Sequence, residues 1–199
     1  MMRSSESLPT ASLKPDPVKT HGMRIIAGSR KGARIFAPKG ETRPTGDRVR
    51  EAAFNLIGPV DDMAVLDLFA GSGAMGLEAL SRGAESVVFV ESDRDAQRVI
   101  ERNLEKLDLN GARLVKSDVR RALAAESAAG RRYDLVLVDP PYRMLDSLLP
   151  TLSKYLPALL AEDGLIVVES SAREQPALPL AERTSRKYGS ARLTLFEQT

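Results

Sequence analysis

Asp139-Pro140-Pro141-Tyr142 follows directly on the apolar run Leu135-Val136-Leu137-Val138, so a strand delivers a carboxylate, a rigid turn and an aromatic ring to one place. Those are the parts needed to hold a planar amine. The exocyclic nitrogen of a nucleobase is a poor nucleophile because its lone pair is delocalised into the ring. The Asp139 carboxylate and the Pro140 carbonyl can accept its two protons, drawing the nitrogen toward a tetrahedral geometry with its lone pair free to attack. Pro141 stiffens the turn and offers no competing N–H, while Tyr142 can stack on the base. Such stacking contributes roughly 1–3 kcal/mol per base and offsets part of the few kcal/mol that extruding a base costs. Direct attack needs no covalent enzyme intermediate, which suits a chain without cysteine. The product ammonium is acidic enough to lose its proton to water, so Asp139 is expected to position the amine.

A second set of residues reads as a nucleoside site. In Asp67-Leu68-Phe69-Ala70-Gly71-Ser72-Gly73-Ala74-Met75-Gly76 a strand runs into a glycine turn and then a helix, and Gly71 and Gly73 let backbone approach a ligand closely. The G-S-G-A-M-G spacing by itself suits a nicotinamide dinucleotide, another nucleoside cofactor or a tight turn. Glu91 closes the next strand about twenty residues on, where a carboxylate can accept from a ribose diol. Asp67 either only hydrogen-bonds the following turn or argues against a dinucleotide, because it would repel a pyrophosphate while suiting a ligand that carries an ammonium and a sulfonium. The expected cofactor is therefore S-adenosylmethionine. Its contacts are expected at Asp67, Phe69, Ala70, Gly71, Ser72, Gly73, Glu91, Ser92, Asp118 and Val119. Asp118 could meet an adenine amine or serve only as the N-cap of the following helix.

The elements that must position these groups are legible as an alternation. Strands are expected at 64–68, 87–91, 112–116, 134–138 and 164–169, with helices at 74–82, 94–108, 118–128 and 145–160. Gly83 is the expected C-cap of the first of these helices, Ser92 with Asp95 a capping box for the second, and Pro150 a kink or restart in the last. Strands this apolar belong to a parallel sheet covered by helices on both faces. Residues 182–188 and 191–196, joined by Gly189-Ser190, read as a final hairpin at the sheet edge.

The 199 residues allow one well-buried domain and a small appendage. Net charge is only +2, yet residues 21–58 hold eight bases against three acids and residues 59–179 hold fourteen against twenty. This basic segment suggests a polyanion contact laid against a more acidic body. Two strands at 23–27 and 33–36 are expected to flank the basic turn Gly28–Gly32, followed by a helix at 47–57 with Thr45 as N-cap and Asp47 in its first turn. Arg24, Arg30, Lys31, Arg34, Arg43, Arg48 and Arg50 form a reservoir of positive charge for phosphates, with Arg43 nearest the site and Thr45 counted with them as substrate-binding. Phe36 and Phe54 read as core, and His21 takes no catalytic role. The expected division is a flexible extension at 1–22, a basic hairpin and helix at 23–58, and the main domain at 59–199. One histidine and no cysteine remove disulfides, thiolate nucleophiles and the usual zinc sites, and no metal is expected. No apolar run is long enough to span a bilayer and no secretion signal is evident, so a soluble, cytoplasmic protein is expected.

The blocks at 28–34 (GSRKGAR), 43–55 (RPTGDRVREAAFN), 66–84 (LDLFAGSGAMGLEALSRGA), 89–93 (FVESD) and 139–142 (DPPY) resemble the RsmD family, guanine-N2 methyltransferases acting at position 966 of 16S ribosomal RNA. The similarity covers residues 23–197. It implies a class I, Rossmann-like α/β fold with a seven-stranded, mostly parallel sheet, S-adenosylmethionine as methyl donor, and 16S rRNA in an assembled or assembling small subunit as partner; separately, a monomer is expected. By the resemblance, the ribose-binding acid falls on Glu91, the adenine-side acid on Asp118 and the catalytic tetrapeptide on Asp139–Tyr142. Related enzymes that methylate adenine or glutamine usually begin that tetrapeptide with Asn, so Asp favours the guanine-N2 branch over an adenine-N6 enzyme. An RNA-binding assembly factor without turnover would have no use for a ribose acceptor beside an amine clamp. A nicotinamide oxidoreductase would have none for the D-P-P-Y turn.

Overall fold

The structure is a computed structural model that describes residues 23–38 and 46–198. The expectations for the 1–22 extension, His21, Arg43 and Thr45 lie outside these residues. Seven strands form one sheet: β1 (Ala64–Leu68), β2 (Ser86–Glu91), β3 (Ala112–Lys116), β4 (Tyr133–Val138), β5 (Leu160–Ser171), β6 (Ala181–Tyr188) and β7 (Ala191–Glu197). Their spatial order is β3-β2-β1-β4-β5-β7-β6. The first five are parallel and β7 runs antiparallel between β5 and β6, so the expected terminal hairpin supplies the sheet edge.

Chain order reverses at β1, which pairs with β2 on one side and β4 on the other. Crossover helices therefore lie on opposite faces on either side of this point, leaving a crevice at the carboxyl ends of β1 and β4. Helices α1 (Asp47–Ile57), α2 (Ala74–Ser81) and α3 (Arg94–Leu107) cover one face, where Phe54, Leu77 and Ile100 pack on Val65, Phe89 and Leu137. On the other face α4 (Val119–Ala128) and α5 (Leu145–Leu159) bury Leu123, Leu148 and Leu152 on Leu66, Val136 and Ile166. Gly76 allows α2 to sit close to the sheet, since a Cβ there would stand 2.3 Å from the Phe89 ring.

Local signals were displaced by a residue or so at several ends. The N-cap of α1 is Gly46, without a side-chain bond. The N-cap of α3 is Asp93, whose carboxylate accepts from Asp95 and Ala96 N–H, in place of the expected Ser92–Asp95 box. Gly83, at φ +105, follows the Arg82 C-cap of α2. Pro150 does not restart α5, which runs unbroken through Pro150 and Pro157.

Residues 23–38 reverse direction as expected, but one antiparallel bridge, Arg24–Arg34, replaces two ladder strands. Ile25 and Ile35 N–H still donate across the segment, to the Ala33 and Met23 carbonyls, but other backbone donors are committed elsewhere. Ile26 and Ala27 N–H donate to the wholly buried Glu78 carboxylate at 2.8 and 2.9 Å, and Ser29 and Arg30 N–H donate to the Ser81 carbonyl and hydroxyl. Met23, Ile25 and Ile35 share a core with α1 and the sheet, so this segment is packed onto the main body.

Candidate active site

Strand alternation places an unusual row on the α1–α3 face. Val65, Phe89, Leu137 and Val167 point into that face, so Asp67, Glu91, Asp139 and Glu169, each two residues on, follow the same side. Asp67, Glu91, Asp139 and Glu169 stand at or near the carboxyl ends of β1, β2, β4 and β5 respectively, four strands that are neighbours in the sheet. Asp67 is buried, and burial pushes its carboxyl up to about 8, against the opposing donation from Gly76 N–H and with further push from the charges of Asp139 and Glu91. A cation placed in this crevice would relieve that accumulation of negative charge.

The loop after β1 is shaped for close approach. Phe69 sits at φ +62, a left-handed conformation that a bulky residue adopts at a cost of about 1–3 kcal/mol, and Gly71 and Gly73 follow at +55 and +79. A side chain at Gly73 would also crowd Ile100 and Leu77. Glu91 holds the loop in place: its Oε2 accepts from Gly71 N–H at 2.8 Å, while Oε1 accepts from Ser92 and Asp93 N–H at 2.7 and 2.8 Å. Oε2 thus keeps acceptor capacity for a ribose hydroxyl. Gln97 donates to the Glu91 carbonyl at 2.9 Å and fixes the strand end from α3.

Asp118 is exposed and caps α4, accepting from Arg120 N–H at 2.9 Å, which is the simpler of the two roles its position suggested. Val119 is buried in the opposite core, so only its backbone is available to a ligand. Ser92 is exposed beside Glu91, Ser72 is 9% exposed, and Ala70 N–H donates to the Val90 carbonyl.

Asp139 lies one residue past the Leu68–Val138 pair that joins β1 to β4, and so flanks the glycine loop as the spacing anticipated. Pro140 is buried, Pro141 exposed, and a 3-10 turn at Tyr142–Met144 leads into α5. Tyr142 is 38% exposed, the one large exposed apolar side chain among the described residues. Its hydroxyl donates to Glu169 Oε1 at 3.3 Å. Glu169, 9% exposed, did not figure among the expected site residues, although the alternation of GLIVVE against DLVLVD carries it onto the Asp139 face.

The basic segment separates into two groups. Lys31, Arg34, Arg48 and Arg24 are exposed, Arg24 standing 3.7 Å from Asp47. Arg30 instead donates to the Leu107 and Asp108 carbonyls at the end of α3. Arg50 is removed from the phosphate-binding set: it is wholly buried, bonded to Asp47 and to the Arg24 carbonyl, and 3.7 Å from Glu78. Phe54 is core, whereas Phe36 is half-buried between the cations of Arg102 and Lys106. Asn103, wholly buried, links this segment to the glycine loop by bonding both Phe36 backbone groups and the Ser72 carbonyl.

A mostly parallel sheet reversing at β1, with a left-handed glycine loop and an acidic crevice beside the D-P-P-Y turn, defines a class I S-adenosylmethionine-dependent methyltransferase. The chain belongs to the family described as conserved hypothetical protein 95, whose model matches residues 23–197. It is 44% identical over 152 residues to "Putative rRNA methyltransferase YlbH" of Bacillus subtilis, covering 74% of this chain and 82% of that one. It is 39% identical over 171 residues to ribosomal RNA small subunit methyltransferase D of Escherichia coli, covering 83% and 84%. The solved structure of "Putative methyltransferase yhhF" from Escherichia coli superposes with a TM-score of 0.77 at 37% identity, over 88% of this chain and 97% of that one. Bound at the crevice, S-adenosylmethionine supplies an electrophilic methyl group on a sulfonium, and the acidic row fits its two positive charges.

Proposed function

We propose that the enzyme methylates the exocyclic N2 amine of a guanine in the RNA of the small ribosomal subunit, at the position equivalent to 966 of 16S rRNA. The observation that carries this reading is Asp139-Pro140-Pro141-Tyr142 at the sheet reversal, level with the glycine loop and on the same sheet face as Glu91 and Asp67. The names of the rRNA methyltransferases to which the chain is similar support RNA as the methyl acceptor.

In this reading Asp139 and the Pro140 carbonyl accept the two amine protons, and Tyr142 stacks on the extruded base. The nitrogen lone pair forms the new N–C bond, the pair of the broken C–S bond stays on sulfur, and one amine proton passes to solvent. Glu91 holds the ribose of the donor and the Asp67 carboxylate its positive charge, while Gly71 and Gly73 admit it closely. Lys31, Arg34, Arg48 and Arg24 meet the RNA backbone as point charges, and Arg43 and Thr45, which lie outside the described residues, are assigned to the same substrate by sequence alone. The enzyme acts as a cytoplasmic monomer on an assembled or assembling particle.

The test is incubation of the protein with labelled S-adenosylmethionine and small subunits lacking the modification, then nucleoside mass analysis. N2-methylguanosine at one position is the expected product. N6-methyladenosine, or no methylated nucleoside, overturns the proposal.

A further inference from the structure

Glu169 has no part in the roles assigned above. It stands on β5 one residue beyond the Val138–Val168 pair, level with Asp139 on the adjacent parallel strand and on the same face. The two carboxylates, with Met75, Leu137, Val167 and Leu193, line one narrow cleft, and the Tyr142 hydroxyl holds Glu169 at its rim. Neighbouring strands lie about 4.8 Å apart, so two acceptor groups are presented side by side at the end of the sheet.

That spacing of acceptors has a chemical complement. Guanine places two donors next to each other on its Watson–Crick edge, N1–H and the N2 amine, whereas adenine places the acceptor N1 beside its amine. A carboxylate is an acceptor only, with about four sites, so Glu169 can take a base contact in addition to bonds it already accepts, that from Tyr142 among them. We propose that Glu169 accepts the N1–H of the target guanine while Asp139 holds the neighbouring amine, and that Glu169 thereby selects guanine against adenine. The inference rests on the guanine-N2 reading of the site and names the residue that enforces it. Against adenine, the Glu169 carboxylate, only 9% exposed, would face the N1 lone pair at the mouth of the cleft, an unpaired and repulsive arrangement.

The discriminating probe is 2,6-diaminopurine, which keeps the N2 amine but has an unprotonated N1. Small subunits would be reconstituted with RNA carrying either guanine or 2,6-diaminopurine at the methylated position, and N2 methylation rates compared. The unmodified enzyme is expected to prefer guanine by about 100-fold, the scale for losing a hydrogen bond to a buried charge. Glu169→Gln, whose amide can donate to an unprotonated N1, is expected to narrow that preference to about 10-fold or less. Tyr142→Phe keeps the ring and removes the hydroxyl, and should preserve the preference if Glu169 itself touches the base. Thermal unfolding and S-adenosylhomocysteine binding would confirm that each variant is folded.

Equal rates on both RNAs by the unmodified enzyme would overturn the inference without recourse to any variant. So would an unaltered preference in Glu169→Gln, loss of both activities in a folded Glu169→Gln, or the same narrowing in Tyr142→Phe, which would reduce Glu169 to a support for the ring. Absence of N2 methylation on guanine itself would instead overturn the underlying reading of the site, and this inference with it.

Discussion

The Gly71 N–H donates to Glu91 Oε2 at 2.8 Å, so the loop after β1 is fastened to the end of β2 by the same carboxylate proposed to hold the ribose. The other oxygen of Glu91 accepts two N–H groups from the start of the next loop. One side chain thus fixes both walls of the cofactor end, and its three bonds are charge-assisted.

Glu91→Gln should accordingly damage cofactor capture in two ways. The amide nitrogen cannot accept, leaving at least one loop N–H unpaired, and the ribose contact weakens. Calorimetric titration is expected to show affinity for S-adenosylmethionine lower by about 10- to 100-fold, corresponding to one or two lost charged hydrogen bonds. The methylation rate at saturating cofactor should fall much less. Unchanged affinity in the folded variant would exclude Glu91 from the cofactor site.

Asp139 should show the opposite partition. Asp139→Ala removes an acceptor proposed to act on the reacting nitrogen, and a fall in kcat of about 100- to 1000-fold is the scale for one such group. Affinity for S-adenosylhomocysteine should stay within about threefold, since the ribose contact is assigned to Glu91 and not to Asp139. Asp139→Asn keeps a carbonyl acceptor and should retain more activity than the alanine variant. Parallel losses of turnover and cofactor affinity in both variants would contradict the assignment.

Asp67 makes the crevice sensitive to pH. Its carboxyl is raised from 3.8 to about 8 in the fold, chiefly by burial. The native state therefore holds this proton more tightly than the unfolded chain. The stability that this contributes is fully present below the unfolded value and is lost as pH rises toward about 8. Asp67→Asn keeps an acceptor for Gly76 N–H and abolishes the titration, so its Tm should gain on the parent steadily from pH 5 to pH 8.5, by several degrees. A cationic ligand favours the ionised carboxylate, so S-adenosylmethionine binding near pH 7 should release a proton. That release would appear as a binding enthalpy that varies with the ionisation enthalpy of the buffer, and should vanish in Asp67→Asn. Identical pH profiles for the two proteins would show that Asp67 does not titrate in this range.

How far these features could be read from sequence follows from which interactions are local. Strand and helix alternation is written in periodicity, so β1–β4 and α1–α5 fall within a residue or two of expectation, and the G-S-G turn and D-P-P-Y fix the crevice once β1 and β4 pair. Capping shifted by one residue because Ser92, Asp93 and Asp95 are all competent in composition, and only the course of the chain after Glu91 selects Asp93. The long-range polar ties were not legible. Nothing near Asn103 indicates that it will bond Phe36 and Ser72, 67 and 31 residues away, or that Glu78 will take the N–H groups of Ile26 and Ala27. Arg50 shows the consequence: a charged residue counted as a phosphate ligand became a buried strut because its partners lie on other elements.

The same distinction separates Lys31 from Arg30, adjacent in sequence and both counted as phosphate ligands. Lys31 is exposed, whereas Arg30 donates to two carbonyls at the end of α3 and so satisfies orphan acceptors there. Lys31→Ser should leave Tm unchanged and weaken RNA binding uniformly across sequences, flattening the slope of log affinity against log salt by about 0.7–0.9, one phosphate contact. Arg30→Ser should lower stability by about 1–2 kcal/mol through the lost carbonyl bonds and leave the salt slope almost unaltered, because its charge already faces the helix end. Filter binding of target RNA across a salt series, together with thermal melts of both variants, checks the pair. If Arg30→Ser flattens the slope as much as Lys31→Ser without lowering Tm, the guanidinium serves the RNA and its bonds to α3 are dispensable.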